Sequence, residues 1–145
     1  MTAVRPPISS PDLAPFTCEV APWRDAVHVI PAGEMDIATT PVVAEHLDEL
    51  RDAGFARIVL DLRRLSFLDA TGLALVLSWS AASADHGGRT FQVIPGPPLV
   101  QRIFDLTGTA ERVDFCGGPP DGDGPVDRFS ARRRRALAER RQRLA

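Results

Sequence analysis

The chain reads as a single α/β domain, one mixed sheet of four to five strands covered by about three to four helices. Three observations predict this. Short apolar runs, at Ala26 to Ile30, Ile58 to Leu62 and Thr90 to Ile94, have the length and composition of strands. Stretches with apolar residues at helical spacing separate the later ones, and such alternation is the pattern of a sheet fed by right-handed crossovers. A length of 145 residues with 44% hydrophobic content suits one core plus tails.

Residues 1–13 hold Pro6, Pro7 and Pro11 without periodic apolar content, so they read as a flexible lead-in. Phe16, Cys18 and Val20 alternate with Thr17 and Glu19, the mark of a half-buried strand that Pro22 interrupts. Trp23-Arg24-Asp25 is then the turn into a second strand, Ala26 to Ile30. Pro31 is expected to limit that strand's ladder, and Gly33 to bend the chain into a Glu34-Met35-Asp36 loop.

Thr39-Thr40-Pro41 predicts a helix start, a hydroxyl cap before proline at the first helical position. Val43, Leu47 and Leu50 repeat at i, i+4, i+7 to give that helix one apolar face, and Gly54 suits its left-handed end. Ile58, Val59, Leu60 and Leu62 follow as a strand buried on both faces. The Leu73 to Leu77 run opens a second helix that passes Trp79 and Ala82 and ends near Gly87-Gly88. Beyond the strand from Thr90 to Ile94, Leu99, Ile103, Phe104 and Leu106 outline a third helix capped by Gly108. Glu111 to Phe115 alternates as a last short strand. Leu60, Leu62, Leu75, Val76 and Ile103 are the expected core positions.

Residues 116–130, which include CGGPPDGDGP, read as a linker, and residues 131–145 as an Arg-rich tail, disordered or a short helix. The net charge of -2 conceals an asymmetry: residues 128–145 carry a formal +7, and the rest of the chain a formal -9.

The stretch DLRRLSFLDATGLALVL, from Asp61 to Leu77, carries the functional signal. Asp69-Ala70-Thr71-Gly72 puts short polar side chains where a helix begins, with backbone N–H groups lacking intrahelical acceptors and a dipole that favours negative charge. Read alone, Thr71 and Asp69 are equally well explained as helix caps. Glu34 and Asp36 have an equally plain reading as solvated loop acids.

Together these residues resemble the STAS domain family of anti-sigma factor antagonists and related modules. Its pattern is a strand ending in Asp-Leu, a connector with a buried aromatic, then D-S-[ST]-G before an apolar helix. Asp61-Leu62, Phe67 and Asp69-Ala70-Thr71-Gly72-Leu73 fit it, with Ala70 in place of the first hydroxyl residue; Gly33-Glu34-Met35-Asp36 matches a second motif, G-E-x-D. The resemblance implies a STAS domain over residues 14–115 and an anti-sigma factor antagonist, with Thr71 as phosphate acceptor. It also implies partner contacts at Glu34, Asp36, Asp69, Ala70, Gly72 and Leu73. The implied partners are an anti-sigma factor with a histidine-kinase-like ATPase domain and a phosphatase.

Other chemistries lack their residues. His28, His46 and His86 have no ligand spacing, so no metal and no cofactor is expected. No nucleophile elbow, P-loop or dinucleotide fingerprint occurs, which argues against an enzyme. Cys18 and Cys116 read as reduced thiols. No apolar run approaches the roughly 18 residues of a membrane helix and the N-terminus lacks an apolar leader, so the expected location is the cytoplasm, without membrane insertion. Two rival functions remain: a STAS subunit of a membrane-associated lipid-transport ATPase without a phosphorylation cycle, and a nucleic-acid-associated regulator acting through Arg132 to Arg143. The acidic body, and a tail without aromatics in that stretch, weigh against direct nucleic-acid binding.

Overall fold

The computed structural model describes residues 15–85 and 88–118. The expected lead-in at 1–13, the tail at 131–145 and most of the linker lie outside the described residues, as does His86.

Two strands open the domain, β1 (Thr17–Trp23) and β2 (Ala26–Met35), paired antiparallel across a tight turn. Arg24 takes a left-handed φ of 59° in that turn, and its guanidinium lies 4.4 Å from the Trp23 ring centroid. Helix α1 (Thr40–Asp52) leads into β3 (Arg57–Asp61) and β4 (Leu65–Leu68), then α2 (Ala70–Asp85), β5 (Thr90–Ile94) and α3 (Pro98–Thr107). The sheet order is β1-β2-β3-β5, with β4 on the far half of β2. All pairings but the first are parallel. The expected mixed sheet with covering helices is therefore the observed architecture.

One face of the sheet carries the main core. Val27 and Val29 of β2, Ile58 and Leu60 of β3, and Phe91 and Val93 of β5 lie in one cluster with Val43, Leu47 and Leu50 of α1, Val76 of α2, and Val100 and Phe104 of α3. Leu60, Leu47, Val76 and Phe104 are completely buried, and each such side chain contributes about 1.5–3 kcal/mol of transfer free energy. On the opposite face Ala26, Val59, Ile94 and Cys116 form a smaller cluster. Both cysteines are free thiols, and burial pushes the Cys18 thiol up to about 12.

The structure departs from the sequence reading at several places. Pro22 does not interrupt β1: it pairs opposite Val27, because among the described residues β1 is an edge strand whose outer side makes no ladder. Pro31 does not end β2 either. The β3 ladder covers Val27 to Val29 and the β4 ladder begins at Gly33, so Pro31 sits in the gap between them. Gly33, at φ 105°, marks a bulge where the register shifts rather than the start of a loop. Glu34 and the buried Met35 therefore belong to the strand.

The connector after Asp61-Leu62 is itself a strand, β4, whose buried residues are Leu65 and Leu68. The aromatic expected to be buried, Phe67, is 42% exposed. On α3 the buried residues are Val100 and Phe104, while Leu99 and Leu106 face outward and Ile103 is only partly buried. Leu75 is likewise partly buried. The last expected strand reduces to a 3₁₀ turn, Ala110–Arg112, and an isolated parallel bridge from Phe115 to Val93.

Candidate functional site

The parallel strands bring their C-terminal ends to one edge of the domain, where the β2–α1 loop and the start of α2 meet. Asp69 follows β4 directly and donates its backbone N–H to Met35 O at 3.1 Å, which fixes the two segments side by side. Helix α2 begins at Ala70 and its cap is Asp69. One carboxylate oxygen, Oδ1, accepts the N–H of Thr71 at 2.9 Å and that of Gly72 at 3.1 Å. These are the orphan donors a helix start exposes. The terminus expected to be open to an anion already spends two of its N–H groups on Asp69.

Thr71, half-buried in the first turn, donates its hydroxyl proton to the same Asp69 Oδ1 at 2.5 Å. That hydrogen bond, with N–H donors from Gly72, Thr71 and Ile37, holds the Asp69 carboxyl below its usual range, so it is charged at neutral pH. Thr40 Oγ1 lies 3.3 Å from Thr71 Oγ1. Since the Thr71 proton is committed to Asp69, Thr40 is the donor in that contact. The Thr71 oxygen is thus held from two sides with lone-pair capacity remaining.

The β2–α1 loop is closed by its own side chains. Asp36 Oδ1 accepts the N–H of Ala38 at 3.0 Å and of Thr39 at 3.1 Å, and the Thr39 hydroxyl donates to Glu34 O at 2.7 Å. Thr39 is the residue before α1, but its hydroxyl makes no cap bond to that helix. The loop holds it instead. Glu34 is exposed and Asp36 partly so, and Ile37 (75% exposed) and Val42 (40%) add apolar surface on the same loop and first turn.

Glu34, Asp36, Asp69, Ala70 and Thr71 are thereby gathered at one sheet edge. Ala70 faces outward. Gly72 is buried, and a Cβ there would collide with the Leu68 side chain and come within 3.3 Å of Met35 Cγ. Leu73, 8% exposed, belongs to the core beneath. Thr40 and Ile37 were not singled out from the sequence. A threonine next to Thr39 and before proline reads as helix-start chemistry, and only its distance to Thr71, 31 positions away, reveals more.

Among the described residues no group of three or more His, Cys, Asp or Glu side chains could hold a metal ion. No helix there is long and apolar enough to cross a membrane.

The family model described as Mlab, STAS domain matches residues 21–114. An anti-sigma-B factor antagonist of Staphylococcus epidermidis is 27% identical over 84 residues, 58% of this chain and 77% of that protein. Its Staphylococcus aureus counterpart is 28% identical over 76 residues, 52% and 69% of the two chains. Among solved structures, an anti-sigma factor antagonist from Mycobacterium paratuberculosis superposes with a TM-score of 0.62 at 24% identity, over 79% of this chain and 92% of that one. The anti-sigma factor antagonist SpoIIAA in its unphosphorylated form gives 0.53 at 23% identity, over 70% and 88%. These two likenesses are likenesses of fold.

Proposed function

The chain belongs to the STAS domain family, and on that premise we propose that it is an anti-sigma factor antagonist, a regulatory protein rather than an enzyme. In its unphosphorylated form it binds an anti-sigma factor carrying a histidine-kinase-like ATPase domain and so releases the sigma factor. Phosphorylation of Thr71 by that kinase ends binding, and a phosphatase restores it. The names of the staphylococcal relatives support the coarse role. The observation that carries the finer one is the Thr71 hydroxyl, held by Asp69 at 2.5 Å on an acidic and apolar rim.

The chemistry follows from those contacts. Phosphoryl transfer asks the acceptor hydroxyl to be positioned more than activated. A carboxylate with a lowered pKa is a weak base, so Asp69 orients the Thr71 oxygen rather than storing its proton. Once the oxygen carries phosphate it has no proton for Asp69. About -1.5 to -2 charge then stands beside a carboxylate, and the helix N–H groups that would have offset it are already bonded to Asp69. Against a partner surface fitted to the unphosphorylated rim, the bulk of the phosphate and the cost of burying its unmatched charge hold the two surfaces apart, and Ile37 and Val42 lose their packing.

Binding to a purified anti-sigma kinase domain tests this. Thr71→Ala should bind as tightly as the unphosphorylated protein, and Thr71→Glu much more weakly while remaining folded. Equal affinities for the two variants would leave Thr71 a packing residue. That result would favour the second reading, a STAS subunit of a membrane-associated lipid-transport ATPase; the engagement of the Thr71 hydroxyl by both Asp69 and Thr40 suits a static interface.

A further inference from the structure

A cleft of about 400 Å³ opens on the domain between the end of α1, the middle of α2 and the start of β5. Its place is remote from the acceptor hydroxyl: Trp79 follows Thr71 by eight helical residues, about 12 Å along the axis. The volume falls within the range of small-molecule sites, which pair an apolar lining with a few polar groups.

The lining divides by chemistry. Trp79 and Phe91 make an aromatic wall, with ring centroids 5.7 Å apart and planes tilted by 43°, backed by Phe55 and Ile58. Arg51 and Arg89 supply two guanidinium groups to the same cleft. The Arg51 guanidinium lies 5.4 Å from the Trp79 centroid, so cation and aromatic face are presented together. Its partners, Asp48 at 3.4 Å and Asp52 at 3.3 Å, are half or more exposed, and ion pairs of that kind are weak enough to yield to a ligand carboxylate. The Ser83 hydroxyl bonds to Arg89 O at 3.3 Å and ties that residue to α2. A neighbouring cleft of about 310 Å³ shares Ser83, Thr90 and Phe91 but brings Glu111 and Asp114 alongside Arg112. An anion is therefore favoured on the Arg51 and Arg89 side.

We propose that this cleft binds a small aromatic carboxylate, its ring against Trp79 and Phe91 and its carboxylate between Arg51 and Arg89. The site is independent of Thr71 phosphorylation and of the anti-sigma partner, and its test requires neither.

The experiment titrates naphthoate into the isotope-labelled full chain and follows amide and indole correlation spectra. Saturable shifts are expected at the Trp79 indole N–H and at the amides of Ser78, Ser83, Thr90 and Phe91. Neutral naphthalenemethanol, with the same ring system, should bind at least about tenfold more weakly, as should naphthoate to the Arg51→Gln/Arg89→Gln variant; tenfold is the lower end expected for losing a charged hydrogen bond. Both arginines are exposed, and an unchanged spectrum of the free variant checks that its fold is intact. Absent or unsaturable shifts, shifts centred on other residues, or equal affinity of acid and alcohol would each overturn the proposal. So would undiminished binding to the double variant.

Discussion

His28 should make the stability of this domain acid-sensitive between about pH 6.5 and 4. It lies on β2, 3% exposed, with its ring edge-on to Trp23 at 5.7 Å and Nδ1 buried without a hydrogen-bond partner among the described residues. Burial lowers its pKa from 6.5 to about 4; the buried Asp61 opposes the shift, and Arg63 and Arg57 add to it. The sign follows from the depression. Below about pH 6.5 the unfolded chain takes up a proton that the folded one refuses, so stability present above that value is lost as pH falls towards 4. By linkage the loss at about pH 5 is about 2 kcal/mol. With a urea slope of about 1–3 kcal/mol/M the unfolding midpoint drops by about 1 M. Urea titrations followed by far-ultraviolet circular dichroism at about pH 7 and pH 5 measure it, with His28→Leu as the control whose midpoint should barely move. Equal losses in wild type and His28→Leu would refute the reasoning.

Leu60 is completely buried at the centre of the sheet, so Leu60→Ala should cost about 2–5 kcal/mol by urea unfolding. A loss under about 0.5 kcal/mol, typical of surface sites, would contradict that placement. Gly72→Ala should force Leu68 aside and destabilise by about 1–3 kcal/mol as overpacking does, read as a lower Tm. Asp36→Asn keeps the Oδ1 acceptor that closes the β2–α1 loop and removes the charge. Calorimetry should therefore find weaker kinase binding at a nearly unchanged Tm, and equal affinities would return Asp36 to a structural role.

Elements whose burial follows one face were legible in the sequence. Val43, Leu47 and Leu50 announced α1 because their spacing records the face they pack on, whereas β3, buried on both faces, was announced by the shortness and continuity of the apolar run around Asp61. Proline misled in β1 and β2, since its cost depends on which side of a strand carries a ladder, and that is a property of the assembled sheet. β4 went unread because Leu65-Ser66-Phe67-Leu68 buries only its two ends, a pattern with neither strand nor helix period. On α3, Val100 and Phe104 won the core over the equally apolar Leu99 and Leu106, and only the packing of α3 beside β4 decides between them. The site was legible as a motif. Its wiring was legible only in part: a cap at Asp69 or Thr71 could be read locally, but which of the two caps is settled by the Asp69 Oδ1 contacts, and the approach of Thr40 to Thr71 joins segments 31 residues apart.

The acceptor assignment is tested most directly by locating the phosphate. The full chain is incubated with a purified anti-sigma kinase domain of the same organism and Mg-ATP, and intact mass and fragment spectra are recorded. One phosphate should appear, on Thr71, with none on Thr71→Ala and slower transfer to Asp69→Ala, a variant that also loses a helix cap worth about 1 kcal/mol. Phosphate on another residue, or the same incorporation into Thr71→Ala, would contradict the switch.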